Sequence, residues 1–329
     1  MCAQQYFLSY VLGLPDPGGI KADKGTIVHK ALECLAQAKK VEQDNGVGFK
    51  DDVLGEIEVK TDAMWDETWI DWLIDASYDY YTKNSPHKFT DGDRRDCRKW
   101  TWKALNFNKG IFDPRKQNVV EAEPKFDITI NEPWAEYDYI MPDGSRMHGN
   151  LAVKGTIDLI TCPKDGVYES IDWKTGMRKC WITGETKDFW KLGTDPQLRI
   201  YHYAMSKMYP DIKQFIPSIY FINKGGPFTM PFGPSDIAAT EEMLRKRFEE
   251  IKAVTRPQLL TGYSRWKCNK FCHYGMTEHS SGTINPRTGE PHTICSYIAD
   301  KTRKQGIDTV IAEDTAKDHN IDFYQDPGL

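Results

Sequence analysis

The sequence predicts an α/β protein: a small mixed β-sheet flanked by helices, with an N-terminal helical region and a cysteine-bearing C-terminal segment. Three observations lead there. Residues 2–14 and 25–40 repeat apolar side chains at helical spacing. From about residue 118 the hydrophobic period shortens to two. Helical patterns then return between and after the last strands, so the sheet lies in the middle of the chain.

Taken in order, "CAQQYFLSYVLGL" (2–14) reads as a helix that stops at Gly13, with Pro15 and Pro17 beyond it. A loop is expected to Lys24. "GTIVHKALECLAQAKK" (25–40) is an amphipathic helix with Ile27, Ala31, Leu32 and Leu35 inward, and His29 shares that face. Two further helices are predicted near 62–83 and 92–110. They carry Trp65, Trp69, Trp72, Trp100 and Trp102, which read as packing between helices. Strands are predicted in "NVVEAEPKFDITI", "LAVKGTIDLIT", "VYESIDWKT" and "FIPSIYFINKGG". "TDPQLRIYHYAMSKMY" (194–209) is a helix between the last two, with Pro196 suited to its first turn. The final long helix, 235–254, opens on Ser235 or Asp236 as its cap. Beyond about residue 300 the chain is charged and weakly patterned, and is expected to be peripheral or partly disordered.

Bulk properties agree with a globular chain. Its 329 residues are 40% hydrophobic, enough for a sizeable core, and the net charge of −5 argues against indiscriminate nucleic-acid binding. No stretch has the pattern of a signal peptide or membrane span, so a cytoplasmic location without membrane partners is expected. Eight cysteines in such a setting do not suggest a disulfide framework. Cys34, Cys97, Cys162 and Cys180 are scattered and read as small buried hydrophobes. Cys2, Cys268, Cys272 and Cys295 stand apart by position.

The chemistry concentrates in "GTIDLITCPKDGVYESIDWKTG", residues 155–176. If "KDG" (164–166) is a three-residue hairpin loop with Gly166 left-handed, Pro163 faces Val167 and Asp158 faces Asp172. Period two then puts Lys174 on the same face as Asp172. Two facing carboxylates repel unless a cation lies between them. Oxygen ligands of this kind suit Mg²⁺ or Mn²⁺, and the implied chemistry is phosphodiester hydrolysis. Glu123, on the preceding strand, is a further candidate carboxylate.

"GTID" followed by "DWKTG" resembles the core motif of the PD-(D/E)xK nuclease superfamily. The chain is more closely similar to its RecB-type branch, which includes helicase-nuclease domains such as AddB, CRISPR adaptation exonucleases and phage exonucleases. "GTIVHKALE" resembles that branch's G-x-x-x-H-x-x-L-E helix and "QLRIY" its Q-x-x-x-Y helix. The resemblance implies a restriction-endonuclease-like core, with His29, Asp158 and Asp172 as metal ligands and Lys174 as the catalytic ammonium. It also implies that Gln197 and Tyr201 border the site, contacting DNA or steadying Lys174. In iron-sulfur members one N-terminal cysteine joins three C-terminal ones, and Cys2, Cys268, Cys272 and Cys295 occupy those places. A four-iron four-sulfur cluster is the implied cofactor. Zinc is the competitor, since His273, His279 and His292 share the segment.

The resulting expectation is a helical region at 1–115, a nuclease core at 116–260, a cluster segment at 261–300 closing onto Cys2, and a tail at 301–329. Its activity would be that of a Mg²⁺- or Mn²⁺-dependent DNA exonuclease working with recombination, repair or replication proteins, of the kind that phages encode. The alternatives are an idle DNA-binding subunit and a zinc-bearing interaction protein. No G-x-x-x-x-G-K-[ST] sequence is present, so no ATPase motor of that type is expected.

Overall fold

A computed structural model describes residues 2–316 except 17, 60–65, 141–145, 180–183, 225, 254–256, 261–263 and 287. By its internal contacts the chain divides into two compact units. One combines Gly18–Ala135 with Asn150–Arg245, and the other combines Met1–Pro17, Glu136–Gly149 and Lys246–Leu329.

The first unit is organised around helix α1 (Ile20–Gln43), which buries Ile27, Ala31, Leu32 and Leu35 completely, as their spacing predicts. It starts earlier than the sequence pattern suggests. Gly19 caps it in extended backbone, and Asp23 lies in the first turn, where the helix dipole favours a negative charge. Gly25 is therefore inside the helix. A Cβ there would sit 3.0 Å from Thr175 Oγ1, so the glycine lets α1 approach the turn after Lys174 closely.

Helices α2 (Glu67–Asn84) and α3 (Asp91–Asn106) pack on α1, and each has a polar start. Asp66 caps α2, while Thr90 and Asp93 form a reciprocal capping box on α3. Ile70, Leu73, Ile74, Cys97, Ala104 and Leu105 close the core against α1. Full burial of each large aliphatic side chain is worth roughly 1.5–3 kcal/mol. Trp69, Trp100 and Trp102 pack partly buried against it. Trp72 departs from the expectation and is 47% exposed, and Trp65 lies outside the described residues.

The central sheet has five strands: β1 (Val119–Ala122), β2 (Leu159–Lys164), β3 (Val167–Lys174), β4 (Gln214–Phe221) and β5 (Gly226–Thr229). Their order is β5-β4-β3-β2-β1. Only the β3–β4 pairing is parallel, and the crossover this requires carries α4 (Phe189–Gly193) and α5 (Pro196–Met208). Asp195 caps α5 and Pro196 occupies its first turn. Tyr201, Ala204 and Met205 of α5 pack with Ile157, Ile160 and Phe215 in a second core cluster.

Two long predicted strands are broken. Glu123, at φ +49°, ends β1 and donates its backbone N–H to the Asp158 carbonyl. Lys125–Thr129 then leaves the sheet to pair with Ala152–Thr156. The hairpin also differs in detail from expectation. Lys164 pairs with Val167, so the loop is Asp165–Gly166, with Gly166 left-handed at φ +73°. An irregularity between Thr161 and Lys164 absorbs the offset. The pairing Leu159↔Ile171 beyond it is the register the sequence predicts.

In the second unit, Ala3–Tyr6 is α-helical and Phe7–Val11 continues as a π-helix, ending before left-handed Gly13. Helix α6 (Pro234–Lys252) contains the boundary between units. It begins on Pro234, so Ser235 and Asp236 lie inside its first turn, and Asp236 accepts from the Gly233 N–H. Helices α7 (Ser264–Phe271), α8 (Ile294–Gln305) and α9 (Ile307–Asp314) follow. Phe7, Leu8, Leu12, Tyr274, Ile298 and Val310 form the core here, so the chain is ordered and packed well beyond residue 300. No described helix is long and apolar enough to cross a membrane.

Candidate active site

Asp158 follows the Lys125–Thr129/Ala152–Thr156 pair and immediately precedes β2, where the continued register puts it opposite Asp172 of β3. Its Oδ2 accepts the Trp173 backbone N–H at 2.8 Å, which pins the carboxylate. From α1, His29 brings Nδ1 to 3.4 Å from the same oxygen while keeping 31% of its side chain exposed. Burial opposes a proton on His29, but Asp158 outweighs it and raises the imidazole's pKa. Burial likewise works to raise Asp158, yet His29, then Lys174, hold it below the ordinary carboxylate range.

Asp172 has a different environment. It is 1% exposed, and both of its oxygens lie 2.8 Å from Lys174 Nζ. Gln197 Nε2 donates to Asp172 Oδ1 at 3.0 Å and to the Tyr201 hydroxyl at 2.7 Å. Gln197, itself bonded to Tyr201, therefore steadies Asp172; the resemblance implied that the two border the site, contacting DNA or steadying Lys174. Burial, with the nearby Asp158 charge, pushes Asp172 up to about 6 against the pull of Lys174. Oδ2 makes no well-directed hydrogen bond.

A cavity of about 60 Å³, room for several water-sized groups, adjoins this site. His29, Asp158 and Trp173 line one part of it, and Thr26, Lys30, Glu33, Tyr81 and Glu123 complete it. Asp172 and Lys174 do not line it. Glu33 was not singled out by the sequence, although it closes the "HKALE" motif. Its signal was its place four residues after His29, on the same helical face. Burial and the Glu123 carboxyl push Glu33 up to about 8.

Two groups of side chains compete as seats for a hard cation. Among the described residues, Glu33, Asp51 and Asp52 bring ligand atoms within 4.8 Å of one another. Lys30 Nζ already fills that group, at 2.6, 3.2 and 2.9 Å from the three carboxylates. Its ammonium stands where a cation would and offsets part of their charge. The ligand atoms of His29, Asp158 and Asp172 do not all lie within 4.8 Å of one another. Their donor chemistry nevertheless fits: one imidazole, two carboxylates, a single ammonium between them, and an under-bonded buried oxygen. Mg²⁺ keeps several waters and needs only one or two direct carboxylates.

In the second unit, Cys2 caps the first helix and its Sγ accepts the Gln5 N–H at 3.3 Å. Cys272 and Cys295 are buried and Cys268 is half-buried. Burial, then the charges of Cys2, Cys272 and Cys268, disfavour a bare thiolate at Cys295, so the four thiols share one neighbourhood. The histidines are otherwise engaged. His292 contacts Ser296 at 3.2 Å, and the His273 and His279 rings lie 3.9 Å apart. No described set of three Cys or His residues brings its ligand atoms within 4.8 Å of one another. Cys180 lies outside the described residues.

The profile described as the PD-(D/E)XK nuclease superfamily matches residues 1–276. No curated protein matches the sequence. Among solved structures, one titled "Crystal structure of SSO0001" is similar at 16% identity, covering 72% of this chain and 90% of the other. Its TM-score is 0.27.

Proposed function

We propose that this chain, which belongs to the PD-(D/E)XK nuclease superfamily of metal-dependent phosphodiester hydrolases, is a DNA exonuclease. It trims DNA ends for recombination, repair or replication, in the cytoplasm and alongside a protein of one of those processes, as phage-encoded exonucleases do. The observation that carries the reading is the convergence of His29 from α1 on Asp158, beside the Asp172–Lys174 pair of β3. The motif order shared with the RecB-type branch supports the exonuclease assignment.

In this reading His29, Asp158 and Asp172 would hold Mg²⁺ or Mn²⁺, which when bound would supply Lewis-acid polarisation of a phosphoryl oxygen and a more acidic water. Asp172 keeps Lys174 charged and close, and the ammonium orients the attacking water or offsets charge growing on the phosphoryl oxygens. The Trp173 N–H and Gln197 hold the two carboxylates in place. Water adds to phosphorus as the P–O bond to the leaving oxygen breaks, and that oxygen ends protonated.

Cys2, Cys268, Cys272 and Cys295 would hold a four-iron four-sulfur cluster. Their shared neighbourhood supports this. A brown, iron-containing preparation is expected; a colourless one containing zinc defeats the assignment.

The test of activity uses end-labelled single- and double-stranded DNA with and without Mn²⁺ or Mg²⁺. Cleavage should require the metal and disappear in Asp172→Ala and Lys174→Ala. If both variants digest DNA as the parent does, the site is misassigned.

A further inference from the structure

We infer that Phe189 and Trp190, opening α4, form a stacking platform for the bases of single-stranded DNA entering the candidate site. The inference rests on the nuclease reading and names its substrate form. Trp190 is 81% exposed and Phe189 42%, their rings edge to face with centroids 6.0 Å apart. Met177, earlier in the same connection, is 53% exposed. Isolated exposed hydrophobics are ordinary, but two adjacent aromatics and a methionine in one connection form a surface that asks for a partner.

The charge around the rings selects a polyanion. Lys187 pairs with Asp195 and Lys191 with Glu185, while Asp188 caps α4. Arg178 and Lys179 have no carboxylate partner among the described residues, and Arg178 lies 4.6 Å over the Phe228 ring. On a chain of net charge −5 this connection is locally cationic. Aromatic faces beside a basic track are the means by which proteins hold single strands without reading sequence.

The platform is tied to the site at its C-terminal end. Asp195 accepts the Gln197 N–H, and its charge acts on Lys174. Trp190 precedes Asp195 by five residues, which span at most about 18 Å. Trp190 can therefore meet a base a few nucleotides from the phosphate under attack. Paired bases in a duplex hide their faces, whereas those of a single strand or frayed end are open to the rings.

The experiment is fluorescence anisotropy in divalent-free buffer with labelled oligo-dT, an abasic oligomer of equal length, and a blunt duplex. Trp190→Ala should weaken oligo-dT binding roughly five- to tenfold, with Trp190→Phe restoring most of it. Neither the abasic oligomer nor the duplex should be affected. Unchanged oligo-dT affinity, equal weakening on all three ligands, or a parent that does not bind oligo-dT overturns the platform. Metal-dependent cleavage by the parent is scored separately. A protein that cuts DNA but shows no Trp190 effect loses only the platform, and one that binds through Trp190 but never cuts loses only the nuclease reading.

Discussion

Replacing Lys30 with methionine separates the two carboxylate groups that compete for a cation. Lys30 is held by Glu33, Asp51 and Asp52, yet the three carboxylates would suffer differently from its loss. Asp52 is 83% exposed in its side chain and water would replace the ammonium. Glu33, already pushed up to about 8, carries a proton for most of the time at neutral pH and would keep it. Asp51 has neither escape: its side chain is 1% exposed, and the Val53 and Leu54 N–H groups, at 2.9 and 2.7 Å, and the weak Cys34 thiol donor at 3.8 Å would remain to it. One uncompensated buried charge puts the cost near the lower end of the usual ~3–5 kcal/mol for breaking a buried pair. For a unit of this size that lowers the thermal midpoint by about 6–12 °C. Differential scanning calorimetry of parent and Lys30→Met at neutral pH, in chelator, measures it. The variant should then recover stability on adding Mg²⁺, because its carboxylates have lost their counter-charge. A variant as stable as the parent in chelator refutes the view that Lys30 is the cation of this group.

Lys174→Met should cut Mn²⁺-dependent turnover roughly 100- to 1000-fold. Losing the ammonium also raises Asp172 further above its value of about 6, so residual activity should move to higher pH, where the ligand carboxylate forms; an unmoved pH–rate profile contradicts this. In the α3 capping box, hydrogen bonds from Thr90 and then Lys24 hold Asp93 down at about 2 against an ordinary 3.8. Its stabilisation is therefore complete above pH 3.8 and lost as pH falls towards 2, and Asp93→Asn should remove that part of the acid transition in circular dichroism. Gly275→Ala would place a Cβ 2.7 Å from the Cys268 carbonyl oxygen and 2.9 Å from its Cβ. Iron content and visible absorbance should fall, with the DNA-cutting residues untouched.

What could be read from the sequence was what local period and local chemistry determine. The inward face of α1, the proline in the first turn of α5 and the β2–β3 register near Asp158 each depend on residues close together in the chain. Features set by distant parts were not legible. Pairing between Lys125–Thr129 and Ala152–Thr156 depends on the left-handed Glu123 preceding Pro124, and no periodicity signals that bend. The order in α8 and α9 comes from burying Ile298 and Val310 against Phe7, Leu8 and Leu12, nearly the full chain length away. In the site, Asp158, Asp172 and Lys174 could be placed by counting along a hairpin. The role of Gln197 could not, because its hydrogen bond to Asp172 crosses from α5 to β3.

The first residue of the "GTIVHKALE" motif gives a way to move His29 without touching it. Gly25, His29 and Glu33 recur every four residues along one face of α1. Gly25 meets Thr175, which directly follows Lys174, while His29 meets Asp158. In Gly25→Ala, the new Cβ would stand 3.0 Å from Thr175 Oγ1, closer than such atoms ordinarily come. Alanine also favours the helix by about 1 kcal/mol over glycine, so the variant should fold as well as the parent. The strain would instead appear as a small displacement of α1 from the turn, carrying His29 with it. The contact asks for a shift of a few tenths of an ångström, and since displacements near 1 Å at a catalytic centre cost on the order of 100-fold in rate, the loss should be real but well below that. Thr175→Ala removes the opposing oxygen, so the double variant should regain most of the lost activity while Thr175→Ala alone stays close to the parent. If the double variant is no faster than Gly25→Ala, the glycine is not what sets the approach of His29 to Asp158, and the distance between helix and strand is controlled elsewhere.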